Sequence, residues 1–99
     1  MSAEDAKRAA ETGCTGIVLS NHGGRHFDGA PATVDILPSI VSAVGARATV
    51  MIDSGIRSGL DIVRALALGA QCTFAGRPYL YAVGALGEDG PRHVIDLFF

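Results

Sequence analysis

The chain has 99 residues, 48% of them hydrophobic and 18% charged, with a net charge of −2 and a mean hydropathy of +0.33. That length suits one small domain, but a small domain has much surface to cover with polar groups, so a composition this apolar suits a piece of something larger. There is no basic cluster to support nucleic-acid binding. The apolar runs, broken by Gly, Arg or Asp, are too short to span a bilayer. The opening "MSAEDAKRAAE" has no apolar signal-peptide core, so a cytoplasmic location is expected.

Taken in chain order, Ser2 followed by Glu4 and Asp5 predicts a helix start, with a hydroxyl cap and acids in the first turn. Ala6, Ala9 and Ala10 give it a small-residue face, and Gly13 ends it. "TGIVLS" is too short for a helix and rich in strand formers. It lacks polar alternation, which predicts a strand buried on both faces, as in a parallel sheet. Residues 21–32, "NHGGRHFDGAPA", form a long glycine-rich loop. "TVDILPSIVSAVG" carries Val34, Leu37, Val41 and Val44 at helical spacing. Pro38 implies that this helix begins close to it or has a distorted first turn.

"ATVMID" is a second unalternated strand and "SGIRSG" the loop after it. "LDIVRALALG" is a helix closed by Gly69, "QCTFAG" a third short strand, and "RP" follows at once. Tyr79 to Leu86 and Pro91 to Phe99 read as two helical segments split by "GEDG". Buried strands alternating with helices predict an α/β fold with a parallel sheet and crossover helices. "AAETGCTGIVLSNHGG" and "RALALGAQCTFAGRP" echo one another, as repeated βα units do in barrels and doubly wound sheets.

Cys14 and Cys72 form no CxxC pair and are expected to be small buried residues. No Cys/His/Asp cluster has metal spacing, so no metal site is expected. The chemistry concentrates in the three loops that follow strands, which a parallel sheet gathers on one side. Each holds glycine and one arginine: Arg25, Arg57 and Arg77. Glycines let backbone N–H groups approach a phosphate, helix N-termini add partial positive charge, and arginines close bidentate contacts. "SNHGGR", residues 20–25, is the most informative. A histidine at a strand end followed by two glycines and an arginine is a poor way to build a core. Imidazole can take a proton near neutral pH, and an arginine three residues away can hold a carboxylate. The pair suits a substrate whose carboxylate adjoins a carbon that loses a proton or hydride.

The string from "GIVLSNHGGRHFDGAPATVDILPSIVSAV" through "VMIDSGIRSGLDIVRALALGAQCTFAGRPYLYAVGALGEDG" closely resembles the FMN-dependent α-hydroxy-acid dehydrogenases and oxidases, the glycolate oxidase, L-lactate dehydrogenase and mandelate dehydrogenase type. The resemblance runs from about Ser2 to Phe99. "SNHGGR" separates this family from other FMN-using barrels that share the "ALALGA…GRP" ending. The resemblance implies a (β/α)8 TIM barrel, FMN as cofactor, and oxidation of a small L-2-hydroxy acid to the 2-oxo acid. It implies His22 as the active-site base and Arg25 as the ligand of the substrate carboxylate. Asp53, Ser54, Gly55, Ile56 and Arg57 would wrap the FMN ribityl phosphate, with Gly76 and Arg77 completing the pocket and Ser20 near the flavin. Many members have two glycines after the aspartate. Ser54 stands here instead, which leans the reading toward a dehydrogenase. His26 and Phe27 replace the commoner Gln and Leu, and His26 is read as a loop variant.

A (β/α)8 barrel needs about 200 residues or more, and three strands are legible. By the resemblance, a flavin-contacting lysine, substrate-contacting tyrosines and the aspartate that orients the histidine belong upstream. The expectation is therefore the C-terminal part of the barrel, cut at both ends. Its edge strands and inner sheet face would want partners: copies of itself or a complementary barrel fragment. The alternative to an enzyme is an inactive fragment, either retaining a phosphate- or FMN-binding half-site or keeping no function.

Overall fold

The computed structural model describes all 99 residues. Helix α1, Ala3–Glu11, starts where Ser2 accepts a hydrogen bond from the Asp5 N–H at 3.1 Å. It turns through Gly13, in the left-handed region at φ +95°, into strand β1, Gly16–Leu19. A 3-10 turn at His22–Gly24 and a long loop lead to α2, Thr33–Val44, then β2, Thr49–Ile52, α3, Gly59–Ala67, and the short β3, Cys72–Thr73. Helix α4, Arg77–Leu86, and helix α5, Gly90–Phe98, complete the chain. No helix is long and apolar enough to cross a membrane.

The three strands form one parallel sheet in the order β1-β2-β3. Gln71 lengthens the short β2–β3 ladder: its backbone N–H donates to Val50 O at 2.8 Å, and its side-chain Oε1 accepts from the Val50 N–H at 3.0 Å. One face of the sheet carries the core. Leu19, Val50 and Ile52 pack there with Ala6 of α1, Leu37, Ile40 and Val44 of α2, and Ala65 of α3.

The opposite face is open, which corrects the expectation of strands buried on both sides. Val18, Met51 and Cys72 are register partners, and such partners in a parallel sheet point the same way. Val18 is 50% exposed, and Phe74, two residues beyond Cys72, is 45% exposed. Burial of both cysteines is likewise corrected: Cys72 stands in that uncovered row and Cys14 lies in the exposed α1–β1 turn. Only 14 of the 99 residues are buried. The radius of gyration of 14.6 Å exceeds the roughly 13 Å of a compact domain of about 100 residues. Both follow from helices layered on one side of a sheet.

Pro38 does not delimit α2, which begins five residues earlier at Thr33 and runs through it. Proline removes the N–H that would bond the carbonyl four residues back. Here that carbonyl belongs to Val34, on the exposed side of the helix, where water can satisfy it. At the other end of the chain, Gly90 lets α5 approach α4. A Cβ there would lie 2.5 Å from Ala82 O and 2.6 Å from Val83 N.

Candidate active site at the C-terminal ends of the strands

The loops after β1, β2 and β3 converge on one side of the sheet around an open pocket of about 250 Å³. His22, Arg25, every residue from Asp53 to Arg57, Gly76 and Arg77 line it. Ser20, the remaining candidate, lies behind the pocket. Its hydroxyl donates to Asp53 Oδ2 at 2.6 Å and accepts from the His22 N–H at 3.0 Å. The cavity falls below the roughly 300–1,000 Å³ of complete small-molecule sites, as one wall of a larger site would.

The β1 loop is held in an uncommon shape. His22, Gly23 and Gly24 take φ values of +56°, +64° and +76°. Left-handed backbone is ordinary for glycine but uncommon for histidine. Asn21 stabilises it, since its Oδ1 accepts from the Gly24 N–H at 3.2 Å and its Nδ2 donates to Pro31 O at 3.2 Å. The His22 ring is exposed and lies against that of His26, with centroids 4.6 Å apart. Arg77 reaches across from the β3 loop. Its guanidinium lies over Gly23, where a Cβ would sit 2.7 Å from Nη2.

The β2 loop opens on Asp53, whose N–H donates to Leu19 O at 2.8 Å. Ser54 and Gly55 follow at φ +81° and +84°. The Ser54 hydroxyl is turned to the β1 loop, where it accepts from the Gly23 N–H at 3.1 Å and the Asn21 N–H at 3.3 Å. At the start of α3, Ser58 accepts from the Asp61 N–H at 3.2 Å. Asp61 in turn accepts from the Ser58 hydroxyl at 2.9 Å and the Arg57 N–H at 3.2 Å. The Ser58 hydroxyl bond first, and the Arg57 N–H next, hold the Asp61 carboxyl below its ordinary pKa. That helix N-terminus is thus occupied by the chain's own carboxylate.

The start of α4 is different. Gly76 offers no capping side chain and Pro78 follows Arg77. The N–H groups of Gly55, Ile56, Gly76 and Arg77 find no acceptor within the chain, although all four residues line the pocket. A Cβ at Gly55 or at Gly76 would meet no atom within 4 Å, so the backbone there is open to a ligand. Four free N–H donors, a ten-residue helix N-terminus and the cations Arg57 and Arg77 form a cradle whose chemistry fits a phosphate group. Sequence reasoning missed Phe74, Leu80 and Tyr81, which also line the pocket. Phe74 directly precedes "AGRP", and Leu80 and Tyr81 lie early in α4 after it; the two-residue spacing of Phe74 from Cys72 was the available signal. It also missed Asn21, whose position at a strand end, two residues before a glycine pair, is a turn-initiating signature.

Parallel βα units with an anion cradle and a histidine at the strand C-termini define an arc of a phosphate-binding α/β barrel. The chain belongs to the FMN-dependent dehydrogenase family, whose model matches residues 1–98. It is 53% identical over 94 residues to the FMN-dependent alpha-hydroxy acid dehydrogenase qulF of Penicillium citrinum, covering 95% of this chain and 23% of that protein. It is 51% identical over 98 residues to an L-lactate dehydrogenase of Vibrio cholerae, covering 99% of this chain and 26% of the relative. A crystal structure of mandelate oxidase with benzoyl-formic acid superposes with a TM-score of 0.94 at 47% identity, over 99% of this chain and 29% of that one. The chain therefore spans about a quarter of the length of the curated relatives it matches.

Proposed function

We propose that residues 1–99 are the C-terminal part of an FMN-dependent 2-hydroxy-acid dehydrogenase barrel, carrying its cofactor-phosphate cradle and its catalytic base. The observation that carries this reading is the convergence of the unaccepted Gly55, Ile56, Gly76 and Arg77 N–H groups with Arg57 and Arg77, beside His22 and Arg25 in one pocket. The Gly55, Ile56, Gly76 and Arg77 amides would hold the FMN phosphate, with the two arginines neutralising it. FMN, when bound, supplies the acceptor for the electrons that leave the substrate.

The remaining work falls to side chains. Arg25 fixes the carboxylate of a lactate- or glycolate-like substrate bidentately. That presents the adjoining hydroxyl-bearing carbon to the His22 imidazole, which accepts a proton as the substrate is oxidised to the 2-oxo acid. The left-handed His22 backbone is backed by Ser20, which accepts its N–H, and by the Asn21 bond to Gly24, and this would hold the imidazole at the pocket that His22 lines. The lean toward a dehydrogenase rests on Ser54 alone, since dehydrogenases and oxidases are both among the relatives. A cytoplasmic setting belongs to this proposal as well, although one relative is a peroxisomal oxidase by name.

A second reading has its own observation. The open row of Val18, Met51 and Phe74 favours a half-site that binds the phosphate group but turns over no substrate until the rest of a barrel, or a second copy, covers it. Titration of FMN, followed by quenching of its fluorescence, tests both. The proposal expects saturable binding that is lost in an Arg57→Ala, Arg77→Ala double variant. Dye-coupled oxidation of L-lactate or glycolate then separates the enzyme from the half-site. A soluble, folded chain that binds no FMN refutes the cradle.

A further inference from the structure

Ser54 is a residue out of place by backbone criteria. It sits at φ +81°, where a side chain is opposed and glycine is the ordinary choice. A strained residue persists only when its surroundings over-determine it, and here the surroundings are visible. The Ser54 Oγ accepts from two consecutive-loop donors, Asn21 N–H at 3.3 Å and Gly23 N–H at 3.1 Å. Its hydroxyl donates to Asp53 Oδ2 at 3.4 Å, and its Oγ also lies 3.4 Å from Ser20 Oγ. Ser20 closes the circuit, donating to Asp53 and accepting from the His22 N–H at 3.0 Å. The backbone N–H groups of Asn21, His22 and Gly23 are thus all received by two serine hydroxyls that share the Asp53 carboxylate. On the far side, the Thr33 hydroxyl donates to the Ser54 carbonyl at 3.2 Å, pinning the same residue to the start of α2.

We infer that Ser54 is a positioning residue: its hydroxyl clamps the β1 loop to the β2 loop and holds His22 in its left-handed conformation, while its side chain makes no contact with the cofactor. The inference rests on the reading of His22 as the base for its functional meaning, though not for its geometry. A glycine in place of Ser54 would suit the backbone better and would leave two β1-loop amides without their acceptor. The serine therefore trades local strain for a fixed histidine. The clamp also passes through Asp53, so the carboxylate that begins the β2 loop is committed to the loop architecture through Ser20.

The test compares the chain with its Ser54→Gly and Ser54→Ala variants by two NMR measurements. In both variants, hydrogen exchange at the Asn21 and Gly23 amides should accelerate at least about tenfold. The Asp53 and Phe74 amides, bonded to Leu19 O and Ile52 O at 2.8 Å, should keep their protection and report an intact sheet. The nuclear Overhauser contact between the His22 and His26 rings, 4.6 Å apart, should weaken in parallel. If Ser54→Ala fails to fold because of its positive φ, Ser54→Gly, which relieves that strain, still decides the matter. Retained protection at Asn21 and Gly23 in Ser54→Gly overturns the clamp, and lost protection with an unchanged His22–His26 contact overturns its role in holding His22. FMN titration of the same samples keeps the two readings apart. Failure of the unsubstituted chain to bind FMN removes the cofactor cradle and leaves the clamp standing. Loss of FMN binding in Ser54→Gly with unaltered exchange would make Ser54 a cofactor ligand and overturn the inference.

Discussion

Gly23 separates two roles that glycine can play in the β1 loop. Its φ of +64° makes any side chain costly, and a Cβ would lie 2.7 Å from Arg77 Nη2 and 3.1 Å from Cζ. Gly24, at φ +76°, is the matched control, because a Cβ there meets nothing within 4 Å. Both alanine substitutions incur the left-handed penalty of about 1–2 kcal/mol. Only Gly23→Ala also pushes the Arg77 guanidinium away, by roughly 1 Å if ordinary contact distances of about 3.5–4.0 Å are to return. A hydrogen bond to a charged group contributes about 1.5–3 kcal/mol, so displacing Arg77 from the phosphate should weaken FMN binding about 10- to 150-fold. Gly24→Ala should lower stability similarly yet leave FMN affinity within about threefold of the parent, a margin below 1 kcal/mol. Fluorescence titration gives the affinities and urea denaturation the stabilities. Equal effects of the two substitutions on FMN affinity would mean that the contact with Gly23 does not set the position of Arg77.

Other predictions follow from the packing and the charges. Gly90→Ala drives a methyl group into the α4 backbone and should destabilise the chain by about 1–3 kcal/mol or more, read as a fall in the denaturation midpoint. Leu37 is fully buried, so Leu37→Ala should cost about 2–5 kcal/mol and, in so thin a core, should leave the chain largely unfolded by circular dichroism. The Asp61 carboxyl titrates below its ordinary value, so its cap stabilises the fold above the unfolded carboxylate range and is lost as pH falls through the lower, folded value. Acid unfolding of Asp61→Asn should accordingly show a shallower dependence on pH across that window. Replacing Val18 and Phe74 together by lysine should make the chain more soluble and shift it to smaller species in sedimentation, because both stand on the uncovered sheet face.

The order of elements and the three converging loops were legible because they depend on local signals: short unalternated apolar runs, glycine stops, and a Ser-x-x-Asp cap. His22, Arg25, Gly55, Arg57, Gly76 and Arg77 were legible for the same reason, each being a glycine, arginine or histidine just beyond a strand, whereas Ser20, Ser54 and Ile56 entered through the family resemblance. The one-sided burial was not. "GIVL" and "TVMI" are apolar on both faces, and nothing within a strand shows whether the second face has found its cover. Cys72 was misjudged by the same logic, as its exposure depends on which side of the sheet the helices take. Pro38 misled because its cost depends on whether Val34 O can reach water, a question of orientation and not of sequence. Ser54 was placed in the pocket, but the target of its hydroxyl could not be read from a departure in a motif. It depends on the positive φ that turns it toward Asn21 and Gly23.

The four amides of the cradle tie the chain's folding to the ionic composition around it. Donors at Gly55, Ile56, Gly76 and Arg77 have no internal acceptor, so an anion that satisfies them binds the folded chain and not the unfolded one. Mass action then adds about 2.7 kcal/mol to stability when free anion reaches about 100 times its dissociation constant. Small domains have only about 5–15 kcal/mol in total. Inorganic phosphate, which carries none of the flavin, would by this route act as a folding agent. A buffer exchange from phosphate to a weakly binding anion would then be felt across the whole α/β arc.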